Sequence, residues 1–295
     1  GKIIEQKRTA FPLDASATEV LESLRSAVAR YLDKYSSERR VVGIGVSVPG
    51  PVNLLKGEIT YLTNAPGWNS VPVKKYLTDN FHLPVVLDED ANAAALAERW
   101  FGCGMGCQNM ISILVGKGVG GGAILDGKIL HGAFGMAGEI GHASISFDGP
   151  LCECGNRGCL ELYGSTLALK KQAQVLLGLQ EQPSFQAIKE QINAGDARLM
   201  QLANQSGAYL GYAIVNLVNT FNPELVVLHG DMTELGDVWL GGLKQAVEER
   251  LKPEIYSCLR IECSTLDDDP VLLGTVAMVC EYLFDRPVLE RFSGQ

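Results

Sequence analysis

Long apolar runs and basic residues are both scarce in this sequence of 295 residues. No run approaches the roughly 18 consecutive apolar residues that mark a membrane-spanning helix, which excludes a membrane protein. Residues 1–8 also lack the apolar core of a secretion signal. Lysine and arginine number 25 against 34 aspartates and glutamates, so the net charge is −9. A chain this acidic is not expected to coat nucleic acid or an anionic membrane.

Aromatic residues make up only 7% of the chain, whereas glycine is frequent, at 33 residues. Hydrophobic residues reach 46% and charged residues 20%, so a large core can form and wholesale disorder is excluded. Length and composition together predict an α/β protein with many tight turns, built as one large domain or two ordinary ones.

The spacing of apolar residues predicts alternating helices and strands with mixed sheets. Ser16-Ala-Thr-Glu19 is a capping box that opens an amphipathic helix. The apolar run Val41–Val48 is typical of a central strand that is buried on both faces. Asp126-Gly127 predicts a tight hairpin turn.

The eight cysteines divide into three that are closely spaced and five that are scattered. The close group is Cys152-Glu-Cys154-Gly-Asn-Arg-Gly-Cys159, with His142 upstream. In a long chain without a secretion signal, this spacing favours metal ligands and predicts reduced thiols in the cytoplasm. Three thiolates and an imidazole match a closed, structural Zn²⁺ site. A redox-active or disulfide-bonded loop is the alternative, although a Cys-x-Cys pair has poor geometry for a disulfide.

Two carboxylates flank these candidate ligands, Glu139 before His142 and Glu161 after Cys159. A metal that holds both segments would also bring the two carboxylates together. Paired carboxylates that accept hydrogen bonds from neighbouring hydroxyls form a natural sugar clamp. His142 could bind Zn²⁺ through one ring nitrogen and offer the other to a ligand. Alternatively, both glutamates are solvated surface charges.

Several segments together resemble the ROK family of sugar kinases and sugar-responsive repressors. They are Val48-Pro-Gly-Pro-Val52, Asn64-Ala-Pro-Gly-Trp68, Asp88-Glu-Asp-Ala-Asn-Ala-Ala94, Gly116-Lys-Gly-Val-Gly-Gly-Gly122, Gly138-Glu-Ile-Gly-His142 and Cys152-Glu-Cys-Gly-Asn-Arg-Gly-Cys-Leu-Glu161. The resemblance spans nearly the whole chain. It implies an actin/hexokinase-like fold of two RNase-H-like lobes with a sugar cleft between them.

The resemblance also implies lobe boundaries. The glycine-rich junction Phe101–Cys107 is the candidate boundary between the lobes. Residues 1–108 would form a smaller N-terminal lobe, which would lack the first strand of the family. Residues 109–295 would form the larger lobe with the Zn²⁺-binding segment 142–159. The apolar helix at about 271–285 is expected to pack back on the smaller lobe.

Functional residues of the family carry over onto matching positions of this chain. The implied sugar contacts are Asn64, Glu89, Asp90, Glu139, His142 and Glu161. The implied catalytic base of a kinase is Asp90, which would accept the proton of the attacking sugar hydroxyl. The implied phosphate loop consists of Gly118, Gly120, Gly121 and Gly122, whose bare N–H groups can approach an anion.

Three departures from the kinase pattern separate the two branches of the family. The Asp-x-Gly-x-Thr phosphate loop on the opening strand is absent from this chain, Glu89 stands where the kinases usually have Asn, and Lys117 stands where they commonly have Thr. A second carboxylate beside Asp90 would raise one pKa of the pair. Asp90 itself is retained, which keeps kinase chemistry open.

These departures favour the repressor branch, resembling the N-acetylglucosamine and xylose repressors. The predicted function is an effector domain that senses a sugar or sugar phosphate and acts as a homodimer. DNA would be bound by an upstream segment absent from this chain. The alternative is an ATP-dependent sugar kinase that uses Mg²⁺-ATP. Motif spacing does not identify the sugar.

Overall fold

The computed structural model describes residues 3–9, 15–37, 40–62 and 67–284. The helices are α1 (Ala17–Tyr35), α2 (Val73–Phe81), α3 (Asp90–Phe101), α4 (Glu161–Gly164), α5 (Thr166–Leu177), α6 (Phe185–Asn193), α7 (Ala197–Phe221), α8 (Asp237–Glu248), α9 (Pro253–Tyr256) and α10 (Pro270–Phe284). The strands are β1 (Ile44–Val48), β2 (Val52–Asn53), β3 (Glu58–Ile59), β4 (Val85–Glu89), β5 (Met110–Val115), β6 (Val119–Leu125), β7 (Lys128–Ile129), β8 (Leu225–His229) and β9 (Arg260–Cys263). Short 3₁₀ helices span Ile140–His142 and Asp231–Leu235.

The chain divides into two compact units. The first unit contains Gly1–Phe101, His131–Ala137 and Leu266–Gln295, and the second contains Gly102–Leu130 and Gly138–Thr265. The division therefore differs from a single boundary near residue 108, because the chain returns to the first unit twice. The C-terminal return follows from packing, since α10 lies against α3 and β1.

The first unit contains a two-stranded parallel sheet. Strand β1 pairs with β4, and Val48 lies opposite Glu89 in this register. Among the described residues β1 pairs with β4 alone, and its residues are mostly half-buried. The prediction of a central strand buried on both faces is therefore wrong. An apolar run predicts that a strand avoids water, but the burial of that strand depends on which distant elements cover each of its faces.

Helix α1 begins as the sequence predicts. The Ser16 hydroxyl accepts the backbone N–H of Glu19, and the Glu19 carboxylate accepts the backbone N–H of Ser16. Both halves of the capping box are thus present, and they satisfy N–H groups at the start of the helix that have no partner within it.

Helices α3 and α10 approach so closely that a side chain larger than hydrogen has no room at Gly274. A Cβ there would lie 1.8 Å from the Ala93 carbonyl oxygen. Alanine residues line the buried face of α3 and allow this approach. The small side chains therefore fix the distance at which α10 packs.

Replacing Gly274 with alanine is expected to destabilise the protein by about 2–3 kcal/mol, because the two backbones must separate. Gly241, exposed in α8, provides the matched control, since a Cβ there meets nothing within 4 Å. Gly241→Ala is expected to stabilise by about 0.5–1 kcal/mol through helix propensity. Urea unfolding of both variants measures the difference, and equal midpoints would contradict the packing argument.

The second unit is built on a five-stranded mixed sheet in the order β7-β6-β5-β8-β9. Strand β5 pairs antiparallel with β6 and parallel with β8, so the predicted mixed sheet is observed. Strand β8 is buried along its whole length. Helices α7 and α8 pack together and contribute Leu210, Ile214 and Trp239 to the core. The predicted hairpin turn at Asp126-Gly127 connects β6 and β7, with φ of 48° and 73°.

None of the helices in the described part of the chain is both long and apolar enough to cross a bilayer.

Candidate functional site

Four candidate metal ligands converge in the second unit. The donor atoms of His142, Cys152, Cys154 and Cys159 all lie within 4.8 Å of one another. Cys152 and Cys159 are buried, His142 is half-buried and Cys154 is exposed. The structure thus brings together the complete ligand set that the sequence predicts.

The backbone around the cysteines forms a tight double loop. The backbones of Cys159 and Ser144 pair in an isolated antiparallel β-bridge, and the Cys152 N–H donates to the Asn156 carbonyl at 2.8 Å. Gly158 lies at φ 64°, and a Cβ there would be 1.8 Å from the Ser146 carbonyl oxygen. The loop therefore needs a glycine at this position.

Two of the separations between donor atoms match those around a single metal ion. The Sγ atoms of Cys154 and Cys159 are 3.6 Å apart, and the Cys152 Sγ is 3.7 Å from the His142 Nδ1. A tetrahedral Zn²⁺ with bonds of about 2.0–2.3 Å separates its ligands by roughly 3.5–3.8 Å. Soft thiolates together with an imidazole suit zinc over magnesium or calcium. This cluster could bind a metal such as zinc.

The three thiols differ in acidity. Burial raises the pKa of Cys152 to about 12 and also raises the pKa of Cys159. The backbone N–H of Asn156 lowers the pKa of Cys154 by stabilising its thiolate. Without a metal, the two buried thiols hold their protons, so a metal that binds here must displace them.

Glu139 and Glu161 lie on opposite sides of the His142 ring. The ring Nδ1 is 3.4 Å from Glu161 Oε1, and the Nε2 is 3.9 Å from Glu139 Oε2. Glu161 Oε1 also accepts a hydrogen bond from the Cys152 thiol at 3.2 Å. Local structure explains the placement, because Glu139 directly precedes the 3₁₀ helix Ile140–His142 and Glu161 begins α4. Both carboxylates therefore lie next to His142, one of the candidate metal ligands.

The turn of the glycine-rich segment Gly116–Gly122 lies beside Glu161. Gly118, in the turn between β5 and β6, is so close to Glu161 that a Cβ would lie 3.2 Å from Oε2. The Gly116 carbonyl accepts the N–H of Thr166, which ties the turn to the start of α5. Lys117 is exposed at its tip. The tip of this hairpin thus borders the Glu161 carboxylate.

The other three glycines do not form a loop. Gly120, Gly121 and Gly122 lie within β6, where they pair with β5. At Gly121 a Cβ would be 2.7 Å from Ile140 Cδ1. The four glycines therefore do not form one continuous loop, and close packing of the 3₁₀ helix on β6 accounts for Gly121. Within the described second unit, Gly118 alone of the four lies in the turn.

The first unit contains Glu89 and Asp90, at the junction where β4 ends and α3 begins. Glu89 is buried and Asp90 is half-buried. Asp90 Oδ1 accepts the backbone N–H of Ala91 at 2.7 Å. Asn64 lies outside the described residues.

Sequence reasoning missed two residues at this junction. Asp88 Oδ1 accepts hydrogen bonds from the Asn92 side chain and the Glu89 N–H, each at 2.8 Å. Asp88 Oδ2 is 2.7 Å from Nε2 of His131, a residue 43 positions away along the chain. Asp88 belongs to a segment that the sequence analysis quoted, but no local pattern identifies His131 as its partner.

Comparison with known proteins identifies one family, with regulators and sugar kinases among its members that resemble this chain. The model of the ROK family matches residues 1–281. A xylose repressor of Caldicellulosiruptor bescii is 32% identical over 303 residues, covering 97% of this chain and 75% of that protein. A glucokinase of Halalkalibacterium halodurans is 36% identical over 265 residues, covering 84% of this chain and 80% of that protein.

A ROK hexokinase from Thermus thermophilus has a similar solved structure. It superposes with a TM-score of 0.82 at 30% identity, covering 92% of this chain and 89% of that chain. This likeness confirms the predicted actin/hexokinase-like fold. Both a repressor and sugar kinases are similar to this chain, and the family model covers nearly all of it. The chain belongs to the ROK family.

Proposed function

We propose that this chain is the effector-binding part of a ROK transcriptional regulator that senses a sugar or a sugar phosphate. The observation that carries the proposal is the convergence of Glu139, His142 and Glu161 at the metal-ligand cluster. Two carboxylates around one imidazole offer acceptors to the neighbouring hydroxyls of a sugar ring.

The contacts divide by chemistry. Glu139 and Glu161 accept hydrogen bonds from sugar hydroxyls. His142 Nδ1 faces Glu161 Oε1 at 3.4 Å and Cys152 Sγ at 3.7 Å, and Nε2 faces Glu139 Oε2 at 3.9 Å, so Nδ1 suits the metal and Nε2 the ligand. Glu89 and Asp90 are further proposed contacts, and so is Asn64.

The proposed metal is a structural Zn²⁺ held by His142, Cys152, Cys154 and Cys159. Bound there, it cross-links the segments that precede Glu161 and follow Glu139. Four protein ligands leave no coordination position for a reacting water. In this proposal the chain's own carboxylates bind the sugar, and the metal keeps them in place.

Two side chains favour a regulator over a kinase. Lys117 occupies the tip of the β5–β6 hairpin, where the resemblance implies Thr in kinases. Glu89 adds a buried carboxylate beside Asp90, the base of the kinase reaction. The chain's net charge of −9 disfavours DNA contact by these residues, so DNA would be bound by another segment.

A sugar kinase is the second candidate. Asp90 stands at the start of α3, and the glucokinase relative is 36% identical. In that function Asp90 would take the proton of the attacking hydroxyl, and Mg²⁺-ATP would supply the phosphoryl group.

Thermal shift and ATP turnover together test the proposal. D-xylose, D-glucose, N-acetyl-D-glucosamine and glucose 6-phosphate are each added with and without Mg²⁺-ATP. We expect one of these ligands to raise the melting temperature, because a ligand that binds the native state stabilises it. We expect no sugar-dependent ATP turnover.

Robust turnover that Asp90→Asn abolishes would replace the regulator with the kinase. An unchanged melting temperature with all four compounds would count against both functions. Size-exclusion chromatography of the same samples tests the proposed homodimer.

A further inference from the structure

The carboxylate of Asp88 joins two separate stretches of the first unit. It is 6% exposed and lies at the β4–α3 junction, directly before Glu89 and Asp90. One oxygen receives hydrogen bonds from the Glu89 N–H and the Asn92 side chain. The other lies 2.7 Å from His131 Nε2. A buried carboxylate with both oxygens engaged has little capacity left for a ligand.

The partner histidine begins a compact segment, His131–Ala137. The Ala137 N–H donates to the His131 carbonyl at 3.1 Å, so the segment closes on itself. Gly135 lies at φ 76°, and a Cβ there would be 2.9 Å from the Val52 carbonyl oxygen. The segment is thus held in the first unit at two points, the Asp88–His131 hydrogen bond and the approach to β2.

The hydrogen bonds at Asp88 act on the backbone that carries the candidate contacts. Strand β4 ends at Glu89 and α3 begins at Asp90, so the Glu89 N–H belongs to the last residue of the strand, directly before Asp90. A charge-assisted hydrogen bond from His131 restrains the Asp88 carboxylate. Its loss would remove one of the three hydrogen bonds that hold the Asp88 carboxylate and so weaken the restraint on its orientation against the Glu89 N–H.

We propose that Asp88 and His131 form a positioning pair that holds the β4–α3 junction, and with it Glu89 and Asp90, in the orientation that binds the sugar. The pair acts through Glu89 and Asp90 and does not touch the sugar itself. The inference rests on the proposed function, because it assumes that these two carboxylates contact a sugar.

The test compares His131→Ala with His131→Gln, whose side-chain N–H can still reach Asp88. The titrant is whichever of D-xylose, D-glucose, N-acetyl-D-glucosamine and glucose 6-phosphate raises the melting temperature of the native protein. We expect His131→Ala to bind it about tenfold more weakly in calorimetric titration, since a lost hydrogen bond to a charged group weakens binding by about that factor. We expect His131→Gln to recover most of the affinity. His82→Asn is the matched control, because His82 is exposed at the left-handed end of α2, where asparagine is also accommodated.

Hydrogen exchange provides a readout that does not depend on the sugar. The amides of Glu89 to Asn92 should exchange faster in His131→Ala than in the native protein, while zinc content stays the same. Native affinity in His131→Ala would overturn the inference, and so would an affinity in His131→Gln as weak as that of His131→Ala. If the native protein binds none of the four compounds, the proposed function fails first, and the ligand-positioning role is rejected with it.

Discussion

Replacing Cys159 with serine is expected to remove the metal and the sugar together. Cys159 is fully buried, and its Sγ lies 3.6 Å from the exposed Cys154 Sγ. A serine hydroxyl is a harder and less acidic ligand than a thiol, so it does not replace a thiolate on zinc. Loss of the metal releases the link between the Glu139 and Glu161 segments. We expect sugar affinity to fall by about 10–100-fold, the range seen when groups that orient a metal site are removed.

Zinc content by mass spectrometry and sugar binding by calorimetry measure the two losses. Cys258→Ser is the matched control, because Cys258 is an exposed thiol outside the ligand cluster. It should retain both the metal and the sugar. Intact sugar affinity in a metal-free protein would break the proposed link between the zinc loop and the clamp.

Glu161→Gln is expected to separate the two roles, by weakening sugar binding while the metal stays. Glu161 lies beside the ligand cluster, 3.4 Å from His142 Nδ1, but does not belong to it. The amide offers one acceptor in place of two and carries no charge. Loss of a charge-assisted hydrogen bond is expected to reduce sugar affinity about 10–100-fold.

Glu153→Gln makes the same change of charge in the same loop. Glu153 is exposed between Cys152 and Cys154, so this variant corrects for any general effect on the metal loop. It should bind sugar like the native protein. Equal affinity in the Glu161 and Glu153 variants would show that Glu161 is a solvated surface charge.

The spacing of residues along the chain is sufficient to predict the metal ligands and several local structural elements. Cys152, Cys154 and Cys159 lie within one short loop, so chain connectivity keeps them close, and the structure groups them with His142. The capping box at Ser16 and the hairpin at Asp126-Gly127 likewise depend on neighbouring residues alone.

Residues that meet across the fold were predicted less well. The glycines at 120–122 were expected in a loop, but they lie in β6, where Ile140 packs on Gly121. Val41–Val48 was expected to be buried on both faces, but β1 is mostly half-buried. In both cases, composition indicates a small or apolar residue without indicating which element lies against it.

The amino-acid order alone therefore identifies the family motifs, the ligand set and the two flanking glutamates, because each depends on short-range spacing and residue chemistry. The fold adds the contacts between distant segments. It places Glu161 beside Gly118, groups α10 with the first unit, and pairs Asp88 with His131 across 43 positions. Such contacts arise from the packing of helices and strands against each other. The periodicity of a single segment does not indicate which other segment packs against it.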